Sequence, residues 1–267
     1  MSGAARDVLV GTSGYSFKDW VGPFYPAKTP STAFLEYYAR EFPVVEVNST
    51  YYGIPKPAMT ANLAKRSPAD FRFVVKLHQS MTHEPRLDLA KVREFLDAIE
   101  PLKQAGKYDG LIAQFPWRFK RDDRGKQHLE ELRAALPGEP LHVEFRNDTW
   151  AHPKLESWLR ERELGYVAVD EPHLPGLMPP LAILTTDTAY VRFHGRNAKA
   201  WYGPKGVDRY DWEYSQPELE EWLAKIATLA EQAKRTYLFF NNCHAGQAAR
   251  SAKLMQELLR RQGILAS

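Results

Sequence analysis

The 267-residue chain contains a single cysteine, Cys243. One thiol cannot close an internal disulfide, so the chain is no disulfide-stapled scaffold and nothing in it points to an oxidising compartment. No apolar run approaches the roughly 20 residues that a membrane helix needs. The opening MSGAARDVLVGTSG lacks the charged-then-apolar layout of a secretory signal, because glycine and polar residues interrupt its one apolar stretch. A cytoplasmic location with no membrane partner is the expectation. Excess charge of one sign is scarce too: 36 Lys and Arg against 33 Asp and Glu leave a net charge of +3, which by itself predicts no polyanionic partner. Low-complexity tracts, internal repeats and flexible linkers are missing, so residues 1–267 read as one domain. Neither an HExxH zinc motif nor a GxSxG nucleophile elbow is present.

What the sequence does hold is an ordinary globular composition, 44% hydrophobic and 26% charged, with a marked aromatic content of 12%. Apolar and β-branched runs recur at Val8–Gly11, Val44–Asn48, Phe71–Lys76, Gly110–Gln114, Leu141–Glu144, Tyr166–Asp170, Ala189–His194 and Tyr237–Asn241. Helical periodicity fills most of the intervals, as in Leu89–Gln104, Glu218–Lys234 and Gln247–Gln262. Eight such units in 267 residues average about 33 each, the size of a (β/α)8 TIM-barrel unit; a doubly wound sheet of six strands would leave strands unplaced. Between the sixth and seventh strands, EPHLPGLMPPLAILTTDT is proline-rich and too short for a packed helix, so a degenerate unit is expected there. A long aromatic and polar loop, residues 195–216, follows the seventh strand.

In a TIM barrel the site is built at the carboxyl ends of the strands. Here those ends are strongly polar. Side chains alternate across a strand, so Glu46 and Asn48 share a face, as do Glu144 and Arg146, and Arg192 and His194. Their apolar neighbours must pack against helices, which turns the polar set into the barrel mouth. Barrels also use paired charges for structure alone. Burying six ions, Glu46, Lys76, Glu144, Arg146, Asp170 and Arg192, costs several kcal/mol each unless all are paired, and that cost favours function.

The segments GTSGYSFKDWVGPFYP, VEVNSTYY, KLHQSMTH, EFRNDTW, YVRFHGRN and FFNNCHAGQAARSA, in this order, resemble the YecE-like family, domain of unknown function 72. The likeness runs from about Val8 to Met255. It implies a TIM barrel and supplies no reaction. Tyr15 stands where that family more often has tryptophan, and Ser251 where it has asparagine.

Four chemistries, a binding surface and an aromatic wall follow from the residues. An anion site, holding a phosphate or a phosphorylated ligand, is expected from Ser13, Gly14 and Tyr15 after strand one and from Gly195, Arg196, Asn241, Asn242 and Gly246 after strands seven and eight, since glycines permit backbone approach and the rest donate. Acid/base catalysis on a small polar or anionic substrate is expected from Glu144 or His194, with Lys76, Arg146 and Arg192 stabilising negative charge. Asn48, Tyr51, His83, Gln114 and Trp150 complete the expected ligand contacts. A divalent metal would draw on Glu46, Glu144, Asp170 and His194, although Lys76 and Arg192 in the same ring oppose a cation. Cys243 at a helix start is the weakest option, a nucleophile. Nucleic acid is the non-enzymatic alternative, carried by Arg192, Arg196, Lys199, Lys205 and Arg209 with Tyr190, Trp201, Tyr202, Tyr210 and Trp212. Trp20, Trp117, Trp150, Trp201 and Trp212 follow strands and suggest an aromatic wall around the mouth, whereas Trp158 and Trp222 lie on helices.

Overall fold

All eight apolar runs form strands: β1 (Asp7–Ser13), β2 (Val44–Val47), β3 (Arg72–Lys76), β4 (Tyr108–Gln114), β5 (Leu141–Glu144), β6 (Leu164–Asp170), β7 (Thr188–Phe193) and β8 (Arg235–Phe240). The computed structural model describes residues 7–203 and 208–265. The strands pair in parallel and in sequence order, and β8 returns to β1, closing a (β/α)8 barrel. Around it lie α1 (Phe34–Glu41), α2 (Pro57–Arg66), α3 (Gln79–Thr82), α4 (Leu89–Gln104), α5 (Asp123–Ala135), α6 (Leu155–Arg160), α7 (Gln216–Gln232) and α8 (Gln247–Arg261). Among the described residues no helix is long and apolar enough to cross a membrane.

The expected helices start where local chemistry starts them. Asp88 caps α4 by accepting from the amides of Ala90 and Lys91. A Ser215–Glu218 capping box opens α7 two residues before its apolar periodicity begins, and Pro217 sits in its first turn. Between β6 and β7, residues 171–187 carry no helix. Thr185 pins this degenerate crossover to β6, donating to Leu164 O at 2.6 Å and accepting from Tyr166 N at 2.8 Å.

Alternation along the strands sorts two cores. The outer faces, with Val45, Val47, Phe73, Val75, Val143 and Val191, pack against helices. The lumen holds Val44, Val74, Ile112, Val167, Tyr190, Tyr237 and Phe239. His142 shares this layer, its ring 5.2 Å from that of Tyr190. A Cβ at Gly165 would come within 2.3 Å of His142 Cδ2, so only glycine leaves that imidazole its place. The apolar lumen layer therefore fills the barrel's middle, and on β2, β3, β4, β5 and β7 the next inward residue is polar.

Candidate active site

That polar layer is Ser13, Glu46, Lys76, Gln114, Glu144 and Arg192, with Arg146, His194 and Asn241 just beyond it. Arg192, fully buried, is its hub. One amino group lies 2.6 Å from Glu46 Oε1 and the other 2.5 Å from Glu144 Oε2, so a single planar fork ties β7 to β2 and β5 across the lumen. The same guanidinium donates to Ser13 Oγ at 3.3 Å and Gln114 Oε1 at 3.4 Å. The second oxygen of Glu46 accepts from Tyr190 OH at 2.6 Å. Arg146 pairs with Glu144 at 2.6 Å through Nε and with Glu171 at 2.9 Å through an amino group.

His194 Nδ1 receives Asn241 Nδ2 at 3.0 Å and an Arg146 amino group at 3.4 Å. Both neighbours are donors, which assigns the ring proton to Nε2, 3.2 Å from Glu144 Oε1. Buried polar atoms without a hydrogen-bond partner are rare in proteins. Five cluster here among the described residues: Asn48 Oδ1, Glu144 Oε1, Arg146 Nε, Arg192 Nε and His194 Nε2. Glu144 Oε1 is close to two of the others but misaligned for a hydrogen bond, so the ring's charges are matched while its donors and acceptors are not.

Environment divides the ring into fixed and titrating members. Burial alone would raise the Glu144 carboxyl; Arg146, Arg192 and His194 overcome it and hold the group well below the usual carboxylate range. Burial, reinforced by Arg146, pulls His194 down to about 3, so the imidazole is neutral. Lys76 differs. Among the described residues it has no carboxylate within ion-pair distance; Nζ donates to Gln114 Oε1 at 2.9 Å and stands 4.6 Å from the centre of the Tyr51 ring. Burial, helped by Arg192 and opposed by Glu46 and Glu144, lowers its ammonium to about 7. Glu171 is the counterpart: burial, with Glu144 adding to it against Arg146, raises its carboxyl to about 7.

Asp170 does not join this ring. Val167 lies in the lumen, so two-residue alternation turns Asp170 outward and Glu171 inward. Outside the barrel, Asp170 accepts from Arg196 at 2.6 Å, Tyr214 OH at 2.6 Å and Trp222 Nε1 at 2.6 Å, anchoring β6 to the loop after β7 and to α7. The anion cradle expected after β7 and β8 is likewise committed to protein partners. Arg196 is shared between Asp170 and Glu221. Gly195, at φ +89 with Trp212 Cβ 2.7 Å from where a side chain would begin, gives its N–H to Tyr214 OH. Asn242 is buried and donates to Trp212 O and Ser251 Oγ. Gly246 serves as the left-handed cap of α8. On the β1 side, Gly14 turns the chain at φ +98, and the Tyr15 ring lies 6.0 Å from that of Tyr38 on α1.

A family model described as "Protein of unknown function DUF72" matches residues 9–266. The chain belongs to the DUF72 family. UPF0759 protein YunF of Bacillus subtilis (strain 168) is 30% identical, with 94% of each chain covered. UPF0759 protein YecE of Escherichia coli (strain K12) is 28% identical over 85% of this chain and 86% of its own. Among solved structures, a DUF72 family protein of Thermotoga maritima MSB8, TM1631, shares 40% identity and superposes with a TM-score of 0.89, covering 95% of this chain and 99% of that one. The motifs that resembled the family are thus its own.

In this DUF72 barrel the metal alternative loses its ligand set. Asp170 is outside, and the Arg192 guanidinium occupies the space between Glu46 and Glu144. Among the described residues no group of three or more His, Cys, Asp or Glu is placed to hold a metal ion. The Cys243 thiol contacts Ser13 O at 3.4 Å, and although part of the residue is accessible, burial of the thiol pushes it up, which keeps it protonated. The set expected for nucleic acid is scattered. Arg192 and Tyr190 are inside the barrel, Trp201 is buried, Arg196 is paired, and Lys205 lies outside the described residues; Lys199 and Tyr202 are exposed.

The aromatic wall is also revised for this DUF72 protein. Trp20 and Trp150 are fully buried behind the strands. Trp150 stacks on Phe145 at 4.1 Å and donates to Phe119 O, so it is core and touches no ligand space. The aromatics beside the ring's own side chains include Tyr51, half-buried under Lys76, and Tyr210, whose ring lies 6.4 Å from that of His194, while the exposed Trp117 is tied to Gly176 O. His83 packs edge-on to Tyr51 at 5.2 Å, and burial, with Lys76 and Arg118, lowers it to about 4. Glu171 escaped the sequence reading, and Tyr190 was placed there only in the nucleic-acid set. Alternation counted from Val167 would have found Glu171. Tyr190, the acceptor-facing hydroxyl on Glu46, has no signal beyond its place two residues before Arg192.

Proposed function

We propose that this protein is a proton-transfer enzyme acting on a small polar or anionic substrate at the carboxyl end of the barrel, with Lys76 and Glu171 as the proton carriers. One observation carries the reading: in a ring whose other buried charges are locked in ion pairs, Lys76 has a polar partner, Gln114, and no carboxylate. A group that transfers protons near neutrality must change charge there, and Lys76 and Glu171, each held at about 7, do so. Glu144 and His194 do not; they are fixed in one state and act as scaffold. Of the ring's two arginines Arg146 is the more exposed, 7% against 0% for Arg192, which suits a substrate that gains negative charge as it reacts. Three carboxylates face three cations, so a proton exchanged between Glu171 and Lys76 leaves the ring electrically balanced.

The test is solvent-deuterium incorporation. The protein is incubated in D2O with small hydroxy acids, oxo acids and sugar phosphates, and loss of substrate C–H signal is followed by proton NMR. Exchange is expected on one class of compound, slowed by at least about 100-fold in Lys76→Met and in Glu171→Gln. Exchange that survives both substitutions overturns the assignment.

A further inference from the structure

We infer that Lys76 is a covalent nucleophile, forming an imine with the carbonyl carbon of a small aldehyde or ketone that carries a carboxylate or phosphate. The inference rests on the proton-transfer reading and names its substrate class; once Nζ is bound in the iminium, Glu171 alone takes the C–H proton. Three features of geometry support it. Nζ sits at the end of β3 with an amide oxygen for a partner, so no ion pair must break before its lone pair is used. The Tyr51 ring covers it at 4.6 Å; the ring face attracts a cation, but the water it and its neighbours exclude is the larger effect and favours the neutral amine over the ammonium. Beyond Tyr51, His83 forms the near wall of a cleft of about 390 Å³ whose cations are Arg118, Lys120 and Arg124. Glu84 and Asp122 line the same cleft, but Asp122 is engaged as the α5 cap through Gly125 N. Arg118 donates to His83 O at 2.6 Å, which holds its charge beside the His83 and Tyr51 rings.

The chemistry balances without an added oxidant or metal. The Nζ lone pair forms a bond to the carbonyl carbon while the carbonyl π pair moves to oxygen, which takes a proton from solvent. The resulting hydroxyl leaves as water on taking a second proton, and the nitrogen gives up one N–H proton as amine becomes carbinolamine. The sum is amine, carbonyl and one proton giving iminium and one water. The iminium withdraws electrons from the adjacent C–H bond, which is the bond a proton-transfer enzyme must weaken. The anionic tail would lie in the cationic cleft.

Reductive trapping tests this directly. The full chain is treated with sodium cyanoborohydride and levulinate or dihydroxyacetone phosphate, whose anions are separated from the carbonyl by two or more bonds, with acetone and dihydroxyacetone as uncharged probes, and the modified lysines are mapped by peptide mass spectrometry. Labelling of Lys76 by the anionic probes is expected to exceed that of exposed Lys199 by at least about tenfold. Arg118→Gln is expected to lower labelling by the anionic probes and leave the uncharged ones unchanged. Labelling of Lys76 no greater than that of Lys199 overturns the imine, and equal labelling by charged and uncharged probes overturns the substrate class. Lys76-dependent deuterium exchange without trapping would retain proton transfer and remove the imine; loss of both removes both.

Discussion

At the scale of single residues, a buried amine with no carboxylate at ion-pair distance ought to cost stability, and that cost has a pH signature. Unfolded, Lys76 holds its proton up to the ordinary 10.5; folded, it releases it at about 7. Between those values the unfolded chain binds more protons, so this residue's contribution to stability rises with pH, and below 7 its penalty is complete. At about 1.4 kcal/mol per pH unit, the penalty outweighs the roughly 1 kcal/mol lost when Gln114 gives up its donor. Lys76→Met is therefore expected to unfold at a higher temperature than the wild type near pH 7, with the gain shrinking toward nothing by pH 10. A Tm difference that does not change between the two pH values would show that Lys76 is not held neutral by its site. The sequence made Lys76 legible as a site residue because it closes a strand. Its role was not legible, because the lack of a carboxylate partner is a three-dimensional fact.

At the scale of elements, the strands and the long helices were readable because each is fixed by local periodicity; α4 has the predicted ends, Leu89 and Gln104. What resisted was the choice between neighbours at a strand end. Asp170 and Glu171 are both acidic and adjacent, and one residue of register decides which is a ring member and which a fastener. As a fastener, Asp170 is buried and holds Arg196, Tyr214 and Trp222 together. Removing its charge leaves the partly buried Arg196 with the exposed Glu221 alone. Asp170→Asn is expected to cost about 3 kcal/mol, the scale for breaking a buried pair, whereas Glu221→Gln should cost less than about 1 kcal/mol. Urea midpoints of the two variants compare these directly. Equal effects would mean that the loop after β7 is not anchored through Asp170. The donors expected to form an anion cradle were misjudged for the same reason: Arg196, Gly195 and Asn242 fasten this loop and α8.

At the scale of the whole molecule, the barrel is closed twice, once by its strand ladder and once by Arg192 spanning the lumen from β7 to β2 and β5. If the second closure existed for stability, apolar filling would serve as well or better, since buried ion pairs are often replaceable without loss. Arg192→Met alone strands Glu46 and Glu144 beside each other and is expected to destabilise by about 3–5 kcal/mol. Combining it with Glu46→Gln and Glu144→Gln removes the stranded charges while the amide at position 46 can still accept from Tyr190. The triple variant should recover to within about 2 kcal/mol of the wild type in chemical denaturation and be devoid of deuterium exchange. Recovery with loss of exchange would mean that the charges are kept for what they do to a substrate and to Lys76. A triple variant as unstable as Arg192→Met would instead make the ring part of what holds the barrel shut, and the functional argument would then rest on Lys76 and Glu171 without their surroundings.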